Sequence, residues 1–166
     1  MGGWTGPPAD GLPRWGPERD FNIQWDSRAA EIVAAHADLT LVPLAVTLKA
    51  HLRAGQLPRL RASGPLGALL AHQSEARQQD GGMEALARAH SGLPDDLVNF
   101  HYDPLTCAVA LGWPGASTET LRLRAVTEES GLRFEAHPEG SPTPIVVDVD
   151  GERLSEAWIE AVEGAQ

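Results

Sequence analysis

Residues 121–162 read LRLRAVTEESGLRFEAHPEGSPTPIVVDVDGERLSEAWIEAV. From Leu121 to Val126 apolar and charged side chains alternate, as in a strand with one buried face. Ser130-Gly131 supplies a turn, and Leu132, Phe134 and Ala136 then alternate with Arg133, Glu135 and His137, so a hairpin is expected. Ile145 to Val149 is a further strand. Asp150-Gly151 turns into a helix with Leu154, Trp158, Ala161 and Val162 on one face. Strand period passing into helical period within one stretch indicates an α/β class with an antiparallel piece near the C-terminal end.

Upstream, Asp103 to Leu111 reads as a helix whose first turn holds Asp103 and Pro104. A mostly helical stretch is expected from about Leu48 to Ala62, with a stop and restart at Ser63-Gly64-Pro65. Leu66, Leu69, Leu70 and Gln73 continue a second helix, Gln78 to Gly82 is a polar break, and Met83 to His90 forms a short helix. The apolar run Leu39–Thr47 is a candidate buried strand, weakened by Pro43, which cannot donate to a ladder. Asp26 or Ser27 caps a helix with Ala29, Ile32, Val33 and His36 on one face. Residues 1–19 hold five Gly, four Pro and two Trp, which is loop chemistry. Two Trp in so short a loop imply that it packs on something.

The 166 residues suffice for a single domain, and 42% hydrophobic with 22% charged residues fits a globular chain. The net charge of −10 argues against nucleic acid or an anionic membrane surface as partner, since both repel an acidic protein. No apolar run is long enough to span a bilayer. Cys107 is the single cysteine, so no internal disulfide forms, and a reducing cytoplasm is the expected compartment. Cys107 itself reads as a buried, inert thiol. His36, His51 and His72 show no tight metal spacing, and Glu128-Glu129 reads as a solvated turn. Trp4, Trp15 and Trp25 serve either to pack the loop or as a platform for a sugar or base.

Three segments resemble the nucleoside hydrolase family (inosine-uridine preferring type). The first is Met1-Gly2-Gly3 with Asp20-Phe21-Asn22-Ile23 and Asp26-Ser27-Arg28-Ala29-Ala30. It is similar to that family's Met-Gly-Gly turn, Glu-Phe-Asn and Asp-Pro-Glu-Ala-Ala helix start. The second, Leu41 to Thr47, is similar to its Val-Pro-Leu-Asp-Val-Thr strand. The third, Asp103 to Ala110, is similar to its His-Asp-Pro-Leu-Ala-Val-Ala helix start. The resemblance runs over essentially the whole chain and implies the C-terminal part of a Rossmann-like mixed sheet with flanking helices.

The resemblance further implies a ribonucleoside N-glycosidase, in which calcium binds the ribose diol and activates water. It places Met1, Asp20 and Asn22 on ribose, Asp103 as a calcium ligand, and His101 or Tyr102 at the leaving group. Three positions depart from the family pattern. Asp20 stands for Glu, Ala45 for Asp, and Tyr102 for the leaving-group His, with His101 displaced by one residue. The family's Asp-rich N-terminal signature has no counterpart here. One matched carboxylate falls short of the about six to eight oxygens that calcium takes. The isolated chain is therefore expected to bind calcium weakly and to be incompetent in hydrolysis. Expected partners are a ribonucleoside or ribose-like ligand, and either a second copy or a chain supplying the absent segment. A non-catalytic sugar-binding or assembly domain is the alternative, and a fragment left by an alternative start or a broken reading frame is a third.

Overall fold

In the computed structural model, which describes residues 1–165, the N-terminal loop is tied into the body of the molecule. The Gly2 N–H donates to the Val42 carbonyl at 2.9 Å. Leu12 is buried in a cluster with Leu48, Met83, Leu97 and Phe100. A single 3-10 turn, Pro17–Arg19, then leads into α1 (Phe21–Gln24). Asp26 caps α2 (Ser27–His36), its carboxylate accepting from the Ala29 N–H at 2.8 Å. The expected inward face of α2 does not form. Ile32 and Val33 are 48% and 52% exposed, and only Ala34 packs against the nearby cluster of Leu123, Leu132 and Phe134.

The expected strand over Leu39–Thr47 is shorter than its apolar run. Leu41 and Val42 are extended, and α3 (Leu44–Thr47) follows at once, because Pro43, at φ −70° and ψ 154°, ends the extension and sits at the helix N-cap. The stretch after Leu48 is likewise not wholly helical. β1 (His51–Arg53) pairs antiparallel with β2 (Leu97–Phe100), and helix resumes only at α4 (Leu57–Ala62). Here a distant strand partner overrides local period. α5 (Gly64–Asp80) starts after Ser63, as the Gly-Pro pair indicates. Its buried face is Gly67, Ala71 and Ser74, whereas Leu66 and Leu69 are 46% and 55% exposed. The reason is proximity. A Cβ on Gly67 would run into the Leu60 carbonyl oxygen and the Ser63 hydroxyl, so only small side chains fit against α4.

α6 (Met83–Ala89) and α7 (Tyr102–Ala110) form where the sequence indicates. On α7 the inward residue is Leu105, and Cys107 is exposed, contrary to the expected buried thiol. β3 (Ala116–Glu128) is the centre of a three-stranded antiparallel sheet, between β4 (Gly131–Ala136) and β5 (Ser141–Val149). Glu128 is not a free turn residue, since it pairs with Arg133 at 2.7 Å. Leu41 joins β5 through a parallel bridge to Ile145, and Val42 joins Gly2 through an antiparallel one. The sheet is thereby mixed, and it carries the N-terminal turn on its far side. α8 (Gly151–Glu163) buries Leu154, Ser155, Ile159 and Val162. Helices thus flank the sheets, giving the expected mixed α/β arrangement with its antiparallel piece near the C-terminal end. Among the described residues no helix is long and apolar enough to cross a membrane.

Candidate functional site

Gly2 and Gly3 adopt φ of +146° and +102°, values that residues with side chains rarely take. A Cβ on Gly2 would press on the Asp20 carboxylate at 2.9 Å. That carboxylate is fully buried at the start of α1 and accepts from the Gly3 N–H at 2.6 Å and the Trp4 N–H at 3.2 Å. Burial pushes the Asp20 carboxyl above its ordinary value, and the backbone N–H groups partly hold it down. Asn22 completes the clamp by donating from its amide to the Met1 carbonyl at 2.9 Å. The turn is therefore held from three sides: by Val42, Asp20 and Asn22.

A cavity of about 490 Å³ opens beside this turn. Met1 and Asn22 line it from one side and Tyr102 and Asp103 from the other, with Trp15, Phe21 and Met83 as apolar wall. Tyr102 and Trp15 are held by the core beneath. Phe100 stands 6.1 Å from Trp15, edge-on, and 5.3 Å from Tyr102 between ring centroids. Asp103 is exposed in the first turn of α7. It is not the N-cap; His101 holds that position, with no side-chain hydrogen bond to the helix. Four residues singled out in the sequence thus line one cavity.

Asp20 and His101 are not among the residues lining this cavity. Asp20 has its carboxylate turned to the Gly3 and Trp4 amides. His101 is 3% exposed, packs its ring 4.9 Å from that of Trp158, and leaves Nε2 without a hydrogen-bond partner. Burial depresses it to about 4, so it is a neutral ring near pH 7 and a poor proton donor there. It borders a second cavity of about 380 Å³ that shares Arg77, Tyr102 and Asp103 with the first. Burial raises the Tyr102 phenol, with Arg77 opposing, so Tyr102 keeps its proton and can act only as a hydrogen-bonding O–H.

The larger cavity offers a carboxylate and an amide for hydroxyl groups, a phenol, and flat aromatic walls. Trp15 packs the loop onto Phe100 and also lines the cavity. Trp25 lies instead on the surface, 78% exposed and 5.1 Å from the Phe21 ring. Arg19 and Arg77 also line the cavity, and no sequence motif marks either. A calcium ion does not fit the residues present. Among the described residues no group of three or more His, Cys, Asp or Glu side chains converges to hold a metal, and Asp103 alone is too few ligands for this ion.

No protein-family model and no curated protein matches the chain. Solved structures do. A plant nucleoside hydrolase superposes with a TM-score of 0.70 at 20% identity, covering 95% of this chain and 52% of that one. A purine-preferring ribonucleoside hydrolase from Gardnerella vaginalis gives 0.67 at 21% identity, covering 86% and 45%. An inosine-uridine preferring nucleoside hydrolase from Bacillus anthracis gives 0.57 at 22% identity, covering 97% and 49%. The chain spans about half the length of these structures, a coverage that fits a C-terminal portion. At these identities the likeness is one of fold: the chain folds as about half of a nucleoside hydrolase does.

Proposed function

We propose that the cavity between the Met1–Gly3 turn and α7 binds the ribose of a ribonucleoside, as part of a ribonucleoside N-glycosidase site. The observation that carries this is convergence. Met1 and Asn22, and Tyr102 and Asp103, lie far apart in sequence and line one aromatic-walled space. Asp103 accepts from ribose hydroxyls, the free N–H and carbonyl of Asn22 pair with the sugar, and Tyr102 donates toward the base or leaving group. His101 acts on none of them directly; buried and neutral, it holds the start of α7 against Trp158. The described residues do not supply a metal centre, so we assign them binding and orientation. Hydrolysis is assigned to an assembly in which other segments complete the calcium shell. The test is a calorimetric titration with calcium, paired with an assay for ribose released from inosine and uridine. Binding no tighter than about millimolar and no ribose release are expected. Micromolar calcium binding at one site, or turnover by this chain alone, would overturn the assignment.

A second reading, an assembly domain, has its own support. Phe21 and Trp25 are 65% and 78% exposed, and with Ile32 and Val33 they leave the outer sides of α1 and α2 apolar. Apolar surface of this kind is commonly covered by another chain. Self-association, or docking of a completing segment, is proposed for this face and is compatible with ribose binding in the cavity.

A further inference from the structure

The chain carries 13 Lys and Arg residues against 23 Asp and Glu. Among the described residues, all but four of the cationic side chains sit in ion pairs. Of the four, Arg122 donates to the Pro138 carbonyl at 2.8 Å, and Arg153 lies over the Trp113 ring at 5.8 Å. The remaining two are Arg19 and Arg77. Among the described residues neither has a side-chain hydrogen bond, an ion pair or an aromatic partner, and both line the cavity described above. They come from different elements, Arg19 from the 3-10 turn before α1 and Arg77 from the last turns of α5. Among the described residues, two uncommitted arginines line this cavity and give it more positive than negative charge, since Asp103 is the single carboxylate there. In a molecule of net charge −10 that is a local reversal of sign.

Planar guanidinium groups bind oxyanions such as carboxylate and phosphate through paired N–H donors. A neutral nucleoside offers them only uncharged acceptors, whose hydrogen bonds are weaker than charge-assisted ones. We infer that the cavity takes a phosphorylated ribose ligand, a nucleoside 5′-monophosphate, with its phosphate on Arg19 and Arg77 and its ribose hydroxyls on Asp103 and Asn22. The aromatic wall of Trp15 and Phe21 is suited to the face of a base. The single carboxylate does not repel such a ligand from the site, because the hydroxyls donate to it while the arginines hold the charge. This inference rests on the ribose-binding reading of the same cavity.

The experiment compares inosine, inosine 5′-monophosphate and inorganic phosphate by calorimetric titration of the intact chain, and repeats the series with uridine and its monophosphate. The monophosphate is expected to bind about ten- to a hundredfold more tightly than its nucleoside, the range for one or two charge-assisted hydrogen bonds. That advantage should shrink with added salt and disappear in the Arg19→Ala/Arg77→Ala double variant. The advantage should persist in Arg122→Ala, which removes the same charge outside the cavity. Both cavity arginines are exposed, and circular dichroism would check that the variants fold. Equal affinity for nucleoside and monophosphate overturns this inference and leaves the ribose reading standing. Monophosphate and inorganic phosphate binding alike, with no binding of nucleoside, overturns the ribose reading and the ligand class together. No binding of any of the three overturns both.

Discussion

At the scale of single residues, the two groups expected to touch substrate and found buried instead have measurable signatures. His101 is depressed by burial to about 4 from an ordinary 6.5. Between those values the unfolded chain takes up a proton that the folded chain refuses. His101 therefore contributes stability that is present above 6.5 and lost as pH falls toward 4. About 2 kcal/mol should be lost by about pH 5, measured by urea unfolding. His51, also lowered by burial, acts in the same direction. Asp20 acts oppositely, since burial raises its carboxyl and protonation relieves a buried charge. His101→Phe should flatten the slope between about pH 7 and pH 5; an unchanged slope would show that another group titrates there. Asp20→Ala leaves the Gly3 and Trp4 N–H groups without their acceptor and should cost about 1–3 kcal/mol in a thermal melt, more than Asp20→Asn, which keeps one acceptor oxygen. Equal melts for the two variants would contradict the clamp. That Asn22 and Asp103 line one cavity was legible in the sequence, because motif neighbours flank both. The inward turn of Asp20 was not legible, because it depends on which backbone N–H groups the Met1–Gly3 turn presents.

At the scale of elements, local pattern succeeded where a segment's partners are its sequence neighbours. The β3–β4 hairpin, pairing Ala125 with Phe134 and Leu123 with Ala136, could be read from alternation and one Ser-Gly turn. α8 followed from its apolar face and the Asp150 cap, which accepts from the Arg153 N–H at 3.0 Å. Pattern failed where a distant segment decides. β1 lies in a run of helical character and is drawn into a strand by β2. α5 presents its leucines to solvent because close approach to α4 demands Gly67. Gly67→Ala should therefore destabilise by about 1–3 kcal/mol, the cost of overpacking. Leu69→Ala, at an exposed position, should change stability by no more than about 0.5 kcal/mol. Chemical denaturation of the two variants would check this ranking, and the reverse order would refute the close α4–α5 contact.

At the scale of the whole molecule, the α/β class and the nucleoside hydrolase-like fold were legible from three short motifs and the strand-to-helix change. The solved structures bear out that fold over about half their length. The apolar outer face of α1 and α2 was not legible, since the period of α2 alone suggested a face turned inward. If that face recruits a second chain, light scattering over a concentration series should show a mass rising with concentration. Trp25→Glu/Val33→Glu should hold the protein monomeric, whereas a wild-type chain that stays monomeric throughout would remove the assembly reading. The central claim concerns the cavity, where the Met1–Gly3 turn and α7 meet around aromatic rings. The most direct measurement is an amide-resolved NMR titration with inosine. Shifts concentrated at Asn22, Tyr102 and Asp103, and abolished by Asp103→Ala together with Asn22→Ala, are the expected result. Shifts confined to other surfaces, or none at millimolar ligand, would contradict it.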